Sequence, residues 1–151
     1  MRKIAFLISL LILSFGVVAK DVAVQPEGSG WKITKPKEWK LQADDDLWSF
    51  YRENGAGALQ ISIYKFKSTI SEQQFLSIAE ENNLSGAPLD VIQVQSFPAL
   101  TAKYVDSGVY WKVWYIAIDN EFLFITYNCE VKNKALEEKA INAMVQSIRK
   151  A

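Results

Sequence analysis

Any chemistry in this chain has to be built without histidine, of which the sequence contains none. That excludes a histidine-dependent nucleophilic triad and a His-ligated zinc site. The spelling S-x-x-K occurs at Ser62-Ile63-Tyr64-Lys65 and at Ser147-Ile148-Arg149-Lys150. On a strand, residues three apart point to opposite faces, so Lys65 cannot deprotonate Ser62. The second copy falls at the end of the last helix, where nothing excludes water. Asp44-Asp45-Asp46 supplies hard oxygens, but without the alternate spacing and glycine turn of a calcium loop it reads as a solvated turn. Gly55-Ala56-Gly57 is a hairpin turn and not a phosphate cradle, because no helix opens after it. Glu80-Glu81 and Glu137-Glu138 lie side by side on helices, where adjacent residues do not converge as an acid/base pair must. Asn83-Leu84-Ser85 spells a glycosylation sequon, which has no meaning in a bacterial host. Cys129 is the only cysteine, so no intramolecular disulfide forms. It follows Leu123, Ile125 and Tyr127 on one strand face as a small apolar side chain; a reactive or intermolecular thiol is the alternative. No catalytic residue, metal ligand or cofactor contact is expected.

The aromatics leave more room. Five tryptophans are many for a small domain. Trp111 and Trp114 fall on opposite faces of one strand and cannot line one groove. Trp48, Tyr51, Tyr64 and Tyr110 are expected to be the exposed aromatics, and therefore the residues that meet a partner, since Trp and Tyr are enriched where partners dock.

The elements that position these residues centre on two apolar runs, Val109 to Ile118 and Phe122 to Val131, joined by Asp119-Asn120-Glu121 as an antiparallel hairpin. Both runs are apolar on both faces. Val109, Trp111, Val113, Tyr115 and Ala117 point one way; Tyr110, Trp114, Ile116 and Ile118 point the other. In the second run Leu123, Ile125, Tyr127 and Cys129 oppose Phe122 and Phe124. A hairpin apolar on both faces is the covered middle of a sheet. Leu47 to Arg52 and Ala58 to Phe66 form a second hairpin around Asn54-Gly55-Ala56-Gly57, whose Asn and Gly are expected to supply positive φ. Its second strand alternates Leu59, Ile61 and Ile63 against Gln60, Ser62 and Tyr64, so one side only is buried. Trp31 to Ile33 is a short strand, and Gln42 to Asp46 a polar turn. Val91 to Phe97 and Ala99 to Asp106 are two further strands parted at Pro98. Ser71 with Gln74 forms a capping box for a helix carrying Phe75, Ile78, Ala79 and Asn82. Asn133 is expected to cap the last helix, with Ile141, Met144, Val145 and Ile148 on one face and Arg149 and Lys150 at its negative end.

The first residues stand outside this pattern. Met1-Arg2-Lys3 is a basic start, Ile4 to Val18 an apolar run, and Val17-Val18-Ala19 a small-residue cleavage site: residues 1–19 read as a secretory signal peptide. The apolar run of about 15 residues is short of the ~20 that span a bilayer, and an uncleaved anchor is the competing reading. Residues 20–30 read as a mobile lead-in and residues 31–151 as one domain. The whole chain balances 17 basic against 17 acidic residues; without Arg2 and Lys3 the remainder carries 15 against 17. No basic stripe marks a nucleic-acid binder. With 50% hydrophobic and 13% aromatic residues, the domain can be held by its core without disulfides.

The order strands, helix, strands, helix implies an α+β domain with a central antiparallel sheet covered by two amphipathic helices. In Trp31-x-Ile33 with Pro36-Lys37-Glu38-Trp39, Leu59-Gln60-Ile61-Ser62-Ile63-Tyr64, Phe97-Pro98-Ala99, the strand Trp111 to Ile118, and Phe124-Ile125-Thr126-Tyr127 leading into Glu138 to Ile148, the chain resembles the PsbP-like superfamily. That fold is shared by an extrinsic photosystem II protein, a nuclear-import factor that binds the GTPase Ran, and many small bacterial proteins. The resemblance implies a single-domain α/β/α sandwich and transfers no functional residue. The reading that follows is an exported, non-enzymatic module that binds another protein in the envelope or outside the cell. Immunity proteins, inhibitors and assembly factors are of this kind. A carrier of a small apolar ligand or lipid is the alternative, and an enzyme using carboxylates or tyrosines is the third.

Overall fold

The computed structural model describes residues 20–151. The expected signal peptide, residues 1–19, lies outside the described residues. Among the described residues, ten strands, β1 (Val22–Val24), β2 (Trp31–Lys35), β3 (Lys40–Asp44), β4 (Leu47–Tyr51), β5 (Gly57–Lys65), β6 (Asp90–Val94), β7 (Phe97–Asp106), β8 (Val109–Ile118), β9 (Glu121–Glu130) and β10 (Arg149–Lys150), accompany two α-helices, α1 (Glu72–Asn82) and α2 (Glu138–Gln146). A seven-stranded sheet runs β3-β4-β5-β9-β8-β7-β6, and a three-stranded sheet runs β1-β2-β10. Every pairing is antiparallel. The class is α+β, as the pattern of elements implies.

The apolar hairpin is the middle of the large sheet. β8 and β9 pair through their whole length, from Ile118 opposite Glu121 to Val109 opposite Glu130, with Asp119 at φ 52° in the connecting turn. The alternation read from the sequence divides the core into two clusters. Tyr110, Trp114, Ile116, Ile118, Leu123, Ile125, Tyr127 and Cys129 join Ile141, Met144 and Val145 of α2 and Trp31 and Ile33 of β2. Val113, Tyr115, Ala117 and Phe122 join Phe75 and Ala79 of α1. Burying side chains of this size stabilises by about 1.5–3 kcal/mol each, so these two clusters hold the fold. The capping box forms as expected: the Gln74 N–H donates to Ser71 Oγ (3.2 Å) and the Ser71 N–H to Gln74 Oε1 (2.9 Å).

Several local expectations are corrected. Residues 20–30 carry strand β1, which pairs Val22 with Lys35 and Val24 with Ile33, and Ser29 is buried. Gln42 to Asp44 is not a turn but part of edge strand β3, whose mostly exposed positions hide it from a hydrophobicity reading; only Asp45 and Asp46 form the turn. Pro98 lies inside β7 and not between two strands. It faces Gln93 of β6, and β8 pairing begins only at Ala99, so the missing N–H falls outside the inner ladder. Glycines 55 and 57 are needed for close approach and not for positive φ, which neither adopts. A Cβ on Gly57 would collide with the Asn128 carbonyl, and one on Gly55 with the Glu137 carboxylate.

The last helix differs at both ends. Asn133 closes a single 3-10 turn, Val131–Asn133, and α2 is preceded at its N-cap by Glu137. Glu137 makes no side-chain cap bond because its oxygens are engaged across the sheet. The helix ends at Gln146, and Arg149 and Lys150 leave it to pair with Lys32 and Trp31 as β10.

Candidate functional site

The four aromatics expected to face a partner divide evenly. Trp48 and Tyr110 are each 7% exposed. Trp48 opposes Ile61 on the inner face of β4, with ring centroids 6.4 Å from Trp31 and 6.1 Å from Phe50. Tyr110 opposes Cys129 beneath α2's face of the sheet, and burial raises its pKa, with Glu138 and Cys129 adding to the shift. Both are core, which corrects the expectation of exposure. Tyr51 is half-buried and Tyr64 is 50% exposed; opposite Ala58 and Phe122, both lie on α1's face.

That face is only partly covered. The 11 residues of α1 make a helix about 16 Å long, whereas seven strands at ~4.8 Å spacing spread over roughly 29 Å. Phe75 and Ala79 pack on the β7–β8–β9 side. The same face of β4, β5 and β9 presents Ser49, Tyr51, Gln60, Ser62, Phe124, Thr126 and Asn128, all half-buried, with Trp111 and Tyr104 continuing it onto β8 and β7. Tyr104 stacks on Trp111 (6.2 Å, 9°) and Tyr115 on Phe124 (5.3 Å, 12°). Gln60 Nε2 donates to Ser49 Oγ at 3.2 Å. A pocket of about 140 Å³ opens between Asn82–Ser85, at the end of α1, and Tyr104, Tyr115 and Phe124. None of these sheet positions is charged, although 23% of the chain is. Same-face charges stand at the margins, on Lys40 and Asp44 of β3 and on Asp106 and Glu130 at strand ends. Sequence reasoning put Trp111 on this face and recognised Gln60, Ser62 and Tyr64 as outward. It missed their union with Tyr104, Phe124, Thr126 and Asn128, for which strand order is needed.

Two buried carboxylates are structural anchors. Glu137, its side chain 1% exposed, accepts from Arg52 Nε (2.9 Å), the Ala56 and Gly57 N–H groups (3.2 and 3.1 Å) and Tyr127 Oη (2.8 Å). Burial alone would raise its pKa, but the Arg52 guanidinium and the other donors outweigh it and hold the carboxyl below its ordinary range. Burial and the Glu137 bond push the Tyr127 hydroxyl far up. Four donors occupy Glu137, and it pins the 52–57 turn to the start of α2. Glu121 does the same for the segment before β2, accepting from Ser29 Oγ (2.6 Å) and the Gly30 N–H (3.2 Å). Lys65 stands 3.9 Å from Glu121, while Ser62 lies on the other face opposite Phe124. Cys129 is buried. Among the described residues, no three His, Cys, Asp or Glu side chains converge as metal ligands would. An apolar groove of about 480 Å³, lined by Phe66, Ile70 and Ile78 with Lys67, Ser68, Gln74 and Ser77, opens to solvent beside α1.

No protein-family model and no curated protein matches the sequence. Solved structures do match by shape. A crystal structure from Bacteroides thetaiotaomicron aligns at TM-score 0.59 and 15% identity, covering 81% of this chain and 45% of that one, so this chain spans about half of that neighbour's length. Cyanobacterial PsbP (CyanoP) from Synechocystis aligns at TM-score 0.60 and 10% identity over 91% of this chain and 96% of that one. LpqN of Mycobacterium tuberculosis, described as involved in cell envelope biogenesis, aligns at 0.58 and 14% over 85% and 89%. Identities this low carry the architecture and nothing more: the fold is similar to those of cyanobacterial PsbP and LpqN.

Proposed function

We propose that the protein is an exported, non-enzymatic binding module that docks another protein of the envelope or extracellular space through the uncovered part of α1's sheet face. The observation that carries this reading is the face itself: Tyr51, Tyr64, Tyr104 and Trp111 among Ser49, Gln60, Thr126 and Asn128, with charge confined to its margins. Tyr and Trp give large contact area at low entropic cost, and hydroxyls and amides adapt their hydrogen bonds, which is the composition of protein-binding surfaces. The groups stand on sheet strands, so little ordering is required on binding. In this reading α1 and α2 are the outer layers of an α/β/α sandwich, each joined to a different core cluster. Full engagement of Glu137 and Glu121 supports a non-enzymatic role. Export rests on the basic-apolar-small pattern of residues 1–19, and no helix among the described residues is long and apolar enough to cross a membrane.

The groove beside α1 favours a second reading, carriage of an apolar ligand. Its volume of about 480 Å³ falls within the range of small-molecule sites. Tagged protein and a Tyr51→Ser/Trp111→Ser variant, each used to capture partners from the host's envelope fraction, separate the readings by quantitative mass spectrometry. One protein recovered near one-to-one and depleted roughly tenfold by the variant is the expected result. Equal recovery by both removes the face as the docking site. A bound lipid in the native mass spectrum, with no protein captured, replaces docking with carriage.

A further inference from the structure

The outer side of the three-stranded sheet presents an arrangement that the docking face does not explain. Lys32 of β2 and Arg149 of β10 are directly opposed in the antiparallel register, on the side away from the core residues Trp31 and Ile33. Like charges directly opposite one another destabilise a sheet. Both side chains belong to half-buried residues, and neither takes part in an ion pair among the described residues.

Arg149 is also held in place. Its Nη1 donates to Thr34 Oγ1 and to the Ser147 carbonyl, both at 3.0 Å. Ser147 is itself locked to β2, accepting from the Thr34 N–H at 2.8 Å. Only Nη1 is engaged, so the Nε–Nη2 edge, the fork that grips an oxyanion with two parallel bonds, has no protein partner among the described residues. Thr34 Oγ1 accepts from Arg149 and keeps its own proton to donate. On β1 the residue opposite Thr34 is Ala23, small and uncharged.

We propose that Lys32, Thr34 and Arg149 form a binding site for a phosphate mono- or diester group. Its oxyanion accepts two bonds from the Arg149 fork, one from Lys32 Nζ and one from the Thr34 hydroxyl. The bound anion removes the repulsion between Lys32 and Arg149 that the sheet otherwise carries. The shared chemistry is the phosphate, whether soluble or on a lipid headgroup, and the site is independent of the docking face.

Thermal unfolding of the purified protein in sodium phosphate against sodium chloride of equal ionic strength is the test, because an anion that binds only the native state raises its Tm. Phosphate is expected to raise the Tm above the chloride value, and Lys32→Ala to remove that increment by weakening binding about tenfold. Lys32 makes no side-chain hydrogen bond among the described residues, and Lys32→Ala relieves a like-charge pair, so the variant is expected to be no less stable than the native chain in chloride. Arg149→Lys keeps the charge and loses the fork, and is expected to lose the increment as well. A vesicle arm identifies the source of the phosphate. Retention on phosphatidylglycerol vesicles but not phosphatidylcholine, lost in Lys32→Ala, identifies a lipid headgroup. A Tm increment without retention identifies a soluble phosphate. A phosphate response equal to chloride together with no vesicle retention overturns the site, and so does a response or retention that Lys32→Ala leaves intact.

Discussion

Trp111 and Trp114 stand three residues apart on β8 and report on the two faces of one sheet. Trp114 is 3% exposed within the cluster that contains α2, β2 and the inner positions of β4, β5 and β9. Trp111 is half-buried, stacked on Tyr104, and joins neither cluster. One face is closed by a helix together with the small sheet, the other by a single short helix that leaves neutral aromatic and amide groups at the surface. A sheet apolar on both faces at its centre can thus be packed solid on one side while its outer strands present a surface on the other. The covering elements, and not the strands, set how much of each face is left open.

The largest test of this contrast is truncation of the two tryptophans. Trp114→Ala is expected to cost about 3–5 kcal/mol as a buried large-to-small change. Trp111→Ala is expected to cost under about 1.5 kcal/mol, because Trp111 is only partly buried and packs on one stacked ring. Urea denaturation of both variants measures the difference, and equal losses would mean that the two faces are equally closed.

Next in size is Glu137→Ala, expected to cost about 3 kcal/mol by leaving the Tyr127 hydroxyl, two N–H groups and the partly exposed Arg52 without their acceptor. The same carboxylate predicts a pH signature. Its folded pKa lies below its ordinary 4.5, so its contribution is full above pH 4.5 and is lost as pH falls through the folded value. Tyr127 works in the opposite sense. Its folded pKa is raised above 10.0, so its contribution is full below pH 10.0 and declines as pH rises above it. Stability measured from pH 2 to 7 should fall at the acid end in the native chain and less steeply in Glu137→Gln; parallel curves would remove Glu137 as the cause. The smallest effect is at the open face: Gln60→Ala should change stability by under about 0.5 kcal/mol while lowering capture of a partner. A larger loss of stability there would show that the face is packed and not presented.

The local patterns were legible because their causes are local. Side-chain alternation assigns each core residue of β8 and β9 to its correct cluster, and the Ser71–Gln74 box starts α1 where it was expected. The start of α2 was not legible from Asn133, because Glu137 is drawn 80 residues back along the chain to the Gly57 N–H, a contact that no window of neighbouring residues contains. β1 and β3 were missed for a related reason: as short edge strands with exposed positions they lack the apolar alternation that marks an inner strand.

Trp48 and Tyr110 mark the same boundary within the candidate site. Their identity made them plausible surface aromatics, yet β2 with Trp31 closes over Trp48, and α2's cluster takes in Tyr110. The division of each strand into two faces follows from the residues alone, since the pleat fixes it with a period of two. Which face is buried, and over how many strands, was decided only by tertiary structure. It depends on where an 11-residue helix and a three-stranded sheet come to rest against seven strands.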